Sequence, residues 1–157
     1  MKIKTNVLIT LANSGLLFAT EHDIPAADAY KASKFRREVE KKIKDLAERE
    51  KELYKDAGIE DPEAENVEQD KVMRFNKLRA EFLNDEVEIA DIKPMSYDSY
   101  HALAKENRKV AIQVPKIDSD GKQSMETIYA DPYRACEDIL EGILWKAPEE
   151  GDEKKSE

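Results

Sequence analysis

An uninterrupted helical pattern from Pro25 to Ala57 restricts the fold more than any other feature of this chain. Apolar residues recur at Ala32, Phe35, Val39, Ile43, Leu46, Leu53 and Ala57. Steps of three, four and seven residues hold them on one side of a helix. Asp23-Ile24-Pro25 is a helix start, because proline at the first helical position gives up no hydrogen bond. Gly58 supplies the left-handed residue that ends the helix. At 1.5 Å per residue the element is about 50 Å long. Such a rod cannot bury its stripe alone and needs a partner. The steps through Val39, Ile43 and Leu46 break a strict heptad, so any coiled-coil supercoil is weak.

The partner comes next in sequence. A second helical pattern spans about Val67 to Glu86, with Phe75, Leu78 and Phe82 on its inner face and Val72 and Leu83 beside them. A short loop between two periodic segments makes antiparallel neighbours, hence a long helical hairpin over about 25–86. Asn66 and Gln69 have the spacing of a capping box. A shorter helix from Thr5 or Asn6 to about Ala19 precedes the hairpin, with Val7, Leu8 and Leu11 on one face.

After the hairpin the period changes from helix to strand. Val87 and Ile89 alternate with Glu86 and Glu88. Ser96 caps a helix carrying Tyr97, Tyr100, Leu103 and Ala104. Val110, Ile112 and Val114 alternate, residues 118–122 form a turn, and Met125, Thr127 and Tyr129 share a face of the return strand. Asp131-Pro132 opens a last helix carrying Tyr133, Cys136, Leu140, Ile143 and Leu144, and Pro148 ends it. The expectation is an α+β, mainly α fold in one domain over 1–147. It joins the helical hairpin to a small C-terminal αββα portion at 87–147, with an acidic, disordered tail at 148–157.

Charge then limits function. The 157 residues carry a net charge of -9 and 39% charged side chains. That balance disfavours nonspecific nucleic-acid binding and anionic membranes, unless one face segregates the positive charge. Two surfaces stand out. Residues 59–70 hold six acids and no base, which makes Glu60, Asp61, Glu63 and Glu65 a candidate partner-binding tip. Residues 34–44 hold six cations, among them Lys34, Arg37, Lys41 and Lys44, a candidate basic patch. Tyr97, Tyr100 and Tyr129 are candidate lining of a small-ligand pocket. Acid-before-base pairs at Glu38–Lys42, Glu40–Lys44 and Asp45–Arg49 are expected to support the long helix.

No catalytic constellation is legible. Cys136, His22 and His101 lie in three different elements, which argues against a structural zinc site. One cysteine permits no intramolecular disulfide, and Cys136 sits among apolar residues as a buried side chain. Asp118, Asp120 and Gly121 fit part of a calcium loop, but Lys116 stands where its first acid belongs, so the segment reads as a hairpin turn. Glycine-rich phosphate loops are absent from the sequence. The expectation is a non-enzyme without cofactor, located in the cytoplasm or in a virion, whose partner is a protein, a second copy of the chain included.

The first 93 residues resemble a family of small tailed-bacteriophage proteins of unknown function. The resemblance rests on a short N-terminal helix, on Ala29-Tyr30-Lys31 leading into a charged helix, on an acidic loop, on Phe75-Asn76-Lys77-Leu78, and on the ending Leu83-Asn84-Asp85-Glu86-Val87-Glu88-Ile89. From Met95 onward the chain departs from that pattern. The resemblance implies a phage or prophage origin and carries over no functional residue. The expected function is a protein-interaction module for virion assembly or host takeover. The alternatives are an acidic inhibitor of a host defence protein and a small-ligand or nucleotide binder.

Overall fold

A computed structural model describes residues 1–148. Helix makes up 52% and strand 18%, an α+β protein that is mainly α. Its spine is α2 (Ala26–Asp56). Pro25 precedes it in extended conformation and closes the first backbone hydrogen bond, from the Ala29 N–H to the Pro25 carbonyl. At the far end Gly58 takes φ +80°. The Ile59 N–H then reaches the Tyr54 carbonyl and the Gly58 N–H the Lys55 carbonyl, which satisfies the last carbonyls of the helix.

The stripe along α2 meets two different partners. The distal half packs against α3 (Gln69–Asn84), which returns antiparallel to it. Tyr54 stacks on Phe75 at 4.3 Å between ring centroids, and Arg79 reaches Glu50 at 3.5 Å. The capping box does not form: α3 starts at Gln69, and no side chain caps it. The proximal half, with Ala32, Phe35 and Val39 buried, packs instead against α1 (Thr5–Asn13) and the C-terminal part of the chain. Ile43 and Leu46 lie at the change-over and are only partly buried.

The N-terminus forms a strand that no periodicity announced. Residues Lys2–Lys4 (β1) pair antiparallel with Glu86–Glu88 (β2), placing Lys2 opposite Glu88 and Lys4 opposite Glu86. Opposite charges across a ladder favour this register. Thr5 does not cap α1. Its N–H and hydroxyl both go to the Asp85 carbonyl, which ties α1 to the end of α3. Nor does α1 reach Ala19: it stops at Asn13, and a 3-10 turn at Leu16–Phe18 follows Gly15. Gly15 sits at φ +92°, where a Cβ would lie 2.8 Å from Ile112 Cδ1.

Beyond β2, Ile89 and Ile92 are buried, and the Ala90 N–H donates to Glu38 Oε2. That bond draws Glu38 away from Lys42. Of the three expected pairs on α2 only Glu40–Lys44 is present, at 3.8 Å, whereas Arg49 turns to Glu52. Residues Met95–Ser96 (β3) pair in parallel with Trp145–Lys146 (β6). Ser96 caps α4 (Tyr97–Glu106) by accepting the Ser99 N–H. Buried Asn107 accepts the Thr20 N–H and donates to the carbonyls of Thr20 and Leu103, which fixes the loop before α2 onto α4.

Val110–Ile117 (β4) and Gln123–Ala130 (β5) form an antiparallel hairpin. Asp118 closes its turn by accepting the N–H groups of Asp120 and Lys122. The single last helix does not form. Two short turns, α5 (Pro132–Ala135) and α6 (Glu137–Leu140), meet at Cys136 and give way to β6. Tyr133, Cys136, Leu140 and Leu144 are still buried together in the main core. Of the expected tail at 148–157, residues 149–157 lie outside the described residues.

Candidate interaction surfaces

The run of cations at residues 34–44 divides once it is wound on a helix. Arg36 turns inward and pairs with Glu21 through two hydrogen bonds, at 2.9 and 3.2 Å. Its hydrogen bond to Glu21 holds the guanidinium even more firmly charged. Lys34, Arg37, Lys41 and Lys44 are spaced by three, four and three residues. At about 100° per residue they share one face, opposite Phe35 and Val39. Tyr30 lies one turn earlier on the same face and is 66% exposed. Glu38 and Glu40 flank this face, and Glu40 pairs with Lys44 at 3.8 Å. Lys34, Arg37 and Lys41 pair with no acid among the described residues. Beside Tyr30 a cleft of about 300 Å³ opens between Lys31 and Lys34 on α2 and the segment Asp91–Lys93. Asp91 there is engaged by the N-terminal ammonium at 2.7 Å, and this hydrogen bond lowers its carboxyl below the usual range. The sequence pattern alone did not bring in Tyr30 and Lys93.

The acidic tip is the loop between α2 and α3. Glu60, Asp61, Glu63 and Glu65 are all exposed. None pairs with a cation among the described residues. Asp61 shapes the loop by accepting the Glu63 N–H at 3.0 Å. A cleft of about 370 Å³ opens beside it, lined by Ile59, Ala64 and Val67 together with Glu60, Asp61, Glu68 and Lys71.

The three candidate pocket tyrosines are not brought together. Tyr100 is fully buried and donates its hydroxyl to the Tyr133 carbonyl. Burial raises its phenol far above the ordinary value. Tyr97 is on the surface with its ring against Trp145, in a cleft of about 620 Å³ between Pro94–Asp98 and Lys146–Pro148. Its hydrogen bond to Glu137 raises that phenol. Tyr129 stands on β5, 67% exposed. Alternation placed Tyr129 on a strand but did not say that the strand would lie in solvent.

That β4–β5 hairpin is the surface the sequence pattern missed. Its root packs against Gly15 through Ile112 and Ala130. Beyond the root, Ile117 is 68% exposed and Met125 62%, and Ile128 is exposed as well. Strand alternation puts Pro115, Ile117, Met125 and Tyr129 on one face and Ile112, Val114 and Ile128 on the other. Only Lys116 and Glu126 are charged among its sixteen strand residues, in a chain that is 39% charged. The depletion was the readable signal. β4 carries Pro115, which offers no N–H, whereas β5 carries no proline.

Three further side-chain oxygens are shielded from solvent with no hydrogen-bond partner among the described residues: the Tyr133 hydroxyl, Glu106 Oε2 and Asp131 Oδ1. Burial raises Tyr133 and Glu106, with the carboxylates of Glu21 and Glu106 acting on Tyr133 in the same direction and Arg36 against them. Cys136 is a buried free thiol, and His22 and His101 are exposed. Among the described residues no three His, Cys, Asp or Glu side chains gather to hold a metal ion. No described helix is long and apolar enough to cross a membrane.

No protein-family model, no curated protein and no solved structure matches the chain.

Proposed function

We propose that this chain is a non-enzymatic protein-interaction module of phage or prophage origin. Its work is to hold a protein partner during virion assembly or host takeover. One observation carries the reading: an exposed, charge-poor β-hairpin stands on a chain whose other surfaces are densely charged. A two-stranded hairpin is marginal in water unless something covers it. Exposed apolar side chains on both faces and an outer β5 edge without proline suit a partner that adds an extended segment as a third strand. The helical core holds this arm at its root, where Ile112 and Ala130 meet Gly15.

The test uses the full chain with Met125→Lys and Tyr129→Lys together, against the wild type. Both are incubated with lysate from phage-infected cells, and captured proteins are read by mass spectrometry. The arm variant, with unchanged circular dichroism, is expected to lose the partner that the wild type retains after a salt wash. Retention of the same partner by the arm variant overturns the reading.

The tip supports a second reading. Four exposed carboxylates without cations present an anionic surface that a basic host protein would accept in place of nucleic acid, as an acidic inhibitor would require. Displacement of the captured protein by DNA separates this reading from the first.

A further inference from the structure

Two complementary surfaces, one on the proximal half of α2 and one in the loop beyond its far end, cannot reach each other. The basic face is centred near residues 37–41, and the acidic loop begins at Glu60. A helix rise of 1.5 Å per residue puts about 30 Å between them. The helix between is continuous, so one chain cannot fold its loop back onto its own basic face. Lys34, Arg37 and Lys41 therefore lack acids, and Glu60, Asp61, Glu63 and Glu65 lack bases, among the described residues. Each surface also has an apolar part. Tyr30 is exposed beside the cations, and the cleft at the loop is lined by Ile59, Ala64 and Val67 among three acids and Lys71.

We propose that the acidic loop of one copy docks on the basic outer face of α2 in a second copy, joining the chains head to tail. The carboxylates of Glu60, Asp61, Glu63 and Glu65 meet Lys34, Arg37, Lys41 and Lys93. The Tyr30 ring enters the cleft beside Ile59 and Val67. The contact is heterologous, because each copy uses a different patch. A docked pair keeps one free loop and one free face, so it adds further copies unless the chains close into a ring. Copies with a net charge of -9 repel one another at long range. Moderate salt, with a screening length of about 10 Å, removes that repulsion and leaves the close pairs, whereas about 1 M salt weakens those too. The inference uses none of the residues of the β4–β5 arm and stands apart from that reading.

Sedimentation velocity of the full chain over a wide concentration range tests it. The wild type is expected to associate as concentration rises in moderate salt and to dissociate in high salt. One variant reverses the face (Lys34→Glu, Arg37→Glu, Lys41→Glu). Another reverses the tip (Glu60→Lys, Asp61→Lys, Glu63→Lys). Each alone is expected to associate at least about tenfold more weakly, the combined effect of several rim ion pairs. Mixed in equal amounts they regain association, because each loop then meets a face of opposite charge. That recovery also shows that neither variant has simply misfolded. A wild type that stays monomeric overturns the proposal. So does association that neither reversal weakens, or a mixture that fails to recover it.

Discussion

Raising the pH should unfold this protein through two tyrosines in particular. Tyr100 and Tyr133 are fully buried, with rings edge to face at 5.8 Å. Burial raises both phenols, and nearby acids add to the effect on Tyr133. In the unfolded chain each returns to the ordinary value of about 10. A folded value above the unfolded one means that the stabilising contribution is complete below about pH 10 and is lost as pH rises past it. One unit above, each buried phenol costs about 1.4 kcal/mol, and the two together about 3 kcal/mol. That is a large part of a stability of about 5–15 kcal/mol. The assay is urea unfolding at about pH 8 and pH 11, followed by the fluorescence of Trp145, whose ring lies 5.6 Å from Tyr100. Tyr133→Phe should lose only about half as much stability over that interval. At neutral pH the same variant should be about 1 kcal/mol more stable, because it removes a buried hydroxyl without a partner. The two proteins differ only in the Tyr133 hydroxyl, so the comparison isolates that group. Equal alkaline losses in the variant and the wild type would refute the reasoning.

Three further expectations concern the frame. Phe35→Ala removes a fully buried ring from α2 and should cost about 3–5 kcal/mol, whereas Ile43→Ala, at a partly buried position, should cost less; equal costs in urea unfolding would contradict the division of the stripe. Gly15→Ala puts a Cβ against Ile112 and Ala130 at positive φ and should cost about 1–3 kcal/mol, with the first loss of amide-exchange protection at the β4–β5 root; an unchanged root would refute the contact. Asp91 should titrate below the usual carboxylate range in an NMR titration and return to it when the N-terminal amine is acetylated. A lowered folded value means that the contribution is present above that range and lost as pH falls through it; an Asp91 indifferent to acetylation would exclude the ammonium as the cause.

What the sequence determined by itself is local. The period of the stripe placed α2 to within about a residue at each end, because helix periodicity and its end signals lie within one segment. Ser96, the turn at 118–122 and the alternation of β4 and β5 were legible for the same reason. The basic face was partly legible: spacing picked out Lys34, Arg37, Lys41 and Lys44, but the inward turn of Arg36 depended on Glu21, fifteen residues away. Tertiary structure decided the rest. It paired residues 2–4 with 86–88: alternation at 86–89 signalled a strand but not its partner, three residues too short to carry a period that could be read. It broke the last helix at Cys136 while still burying Tyr133 and Leu140 in the shared core. It separated the three tyrosines, burying Tyr100 and leaving Tyr129 in water, since alternation says which residues share a face but not whether anything covers it. The acids of the tip and the cations of α2 were both readable as charge. Only a continuous helix between them shows that they cannot meet within one chain.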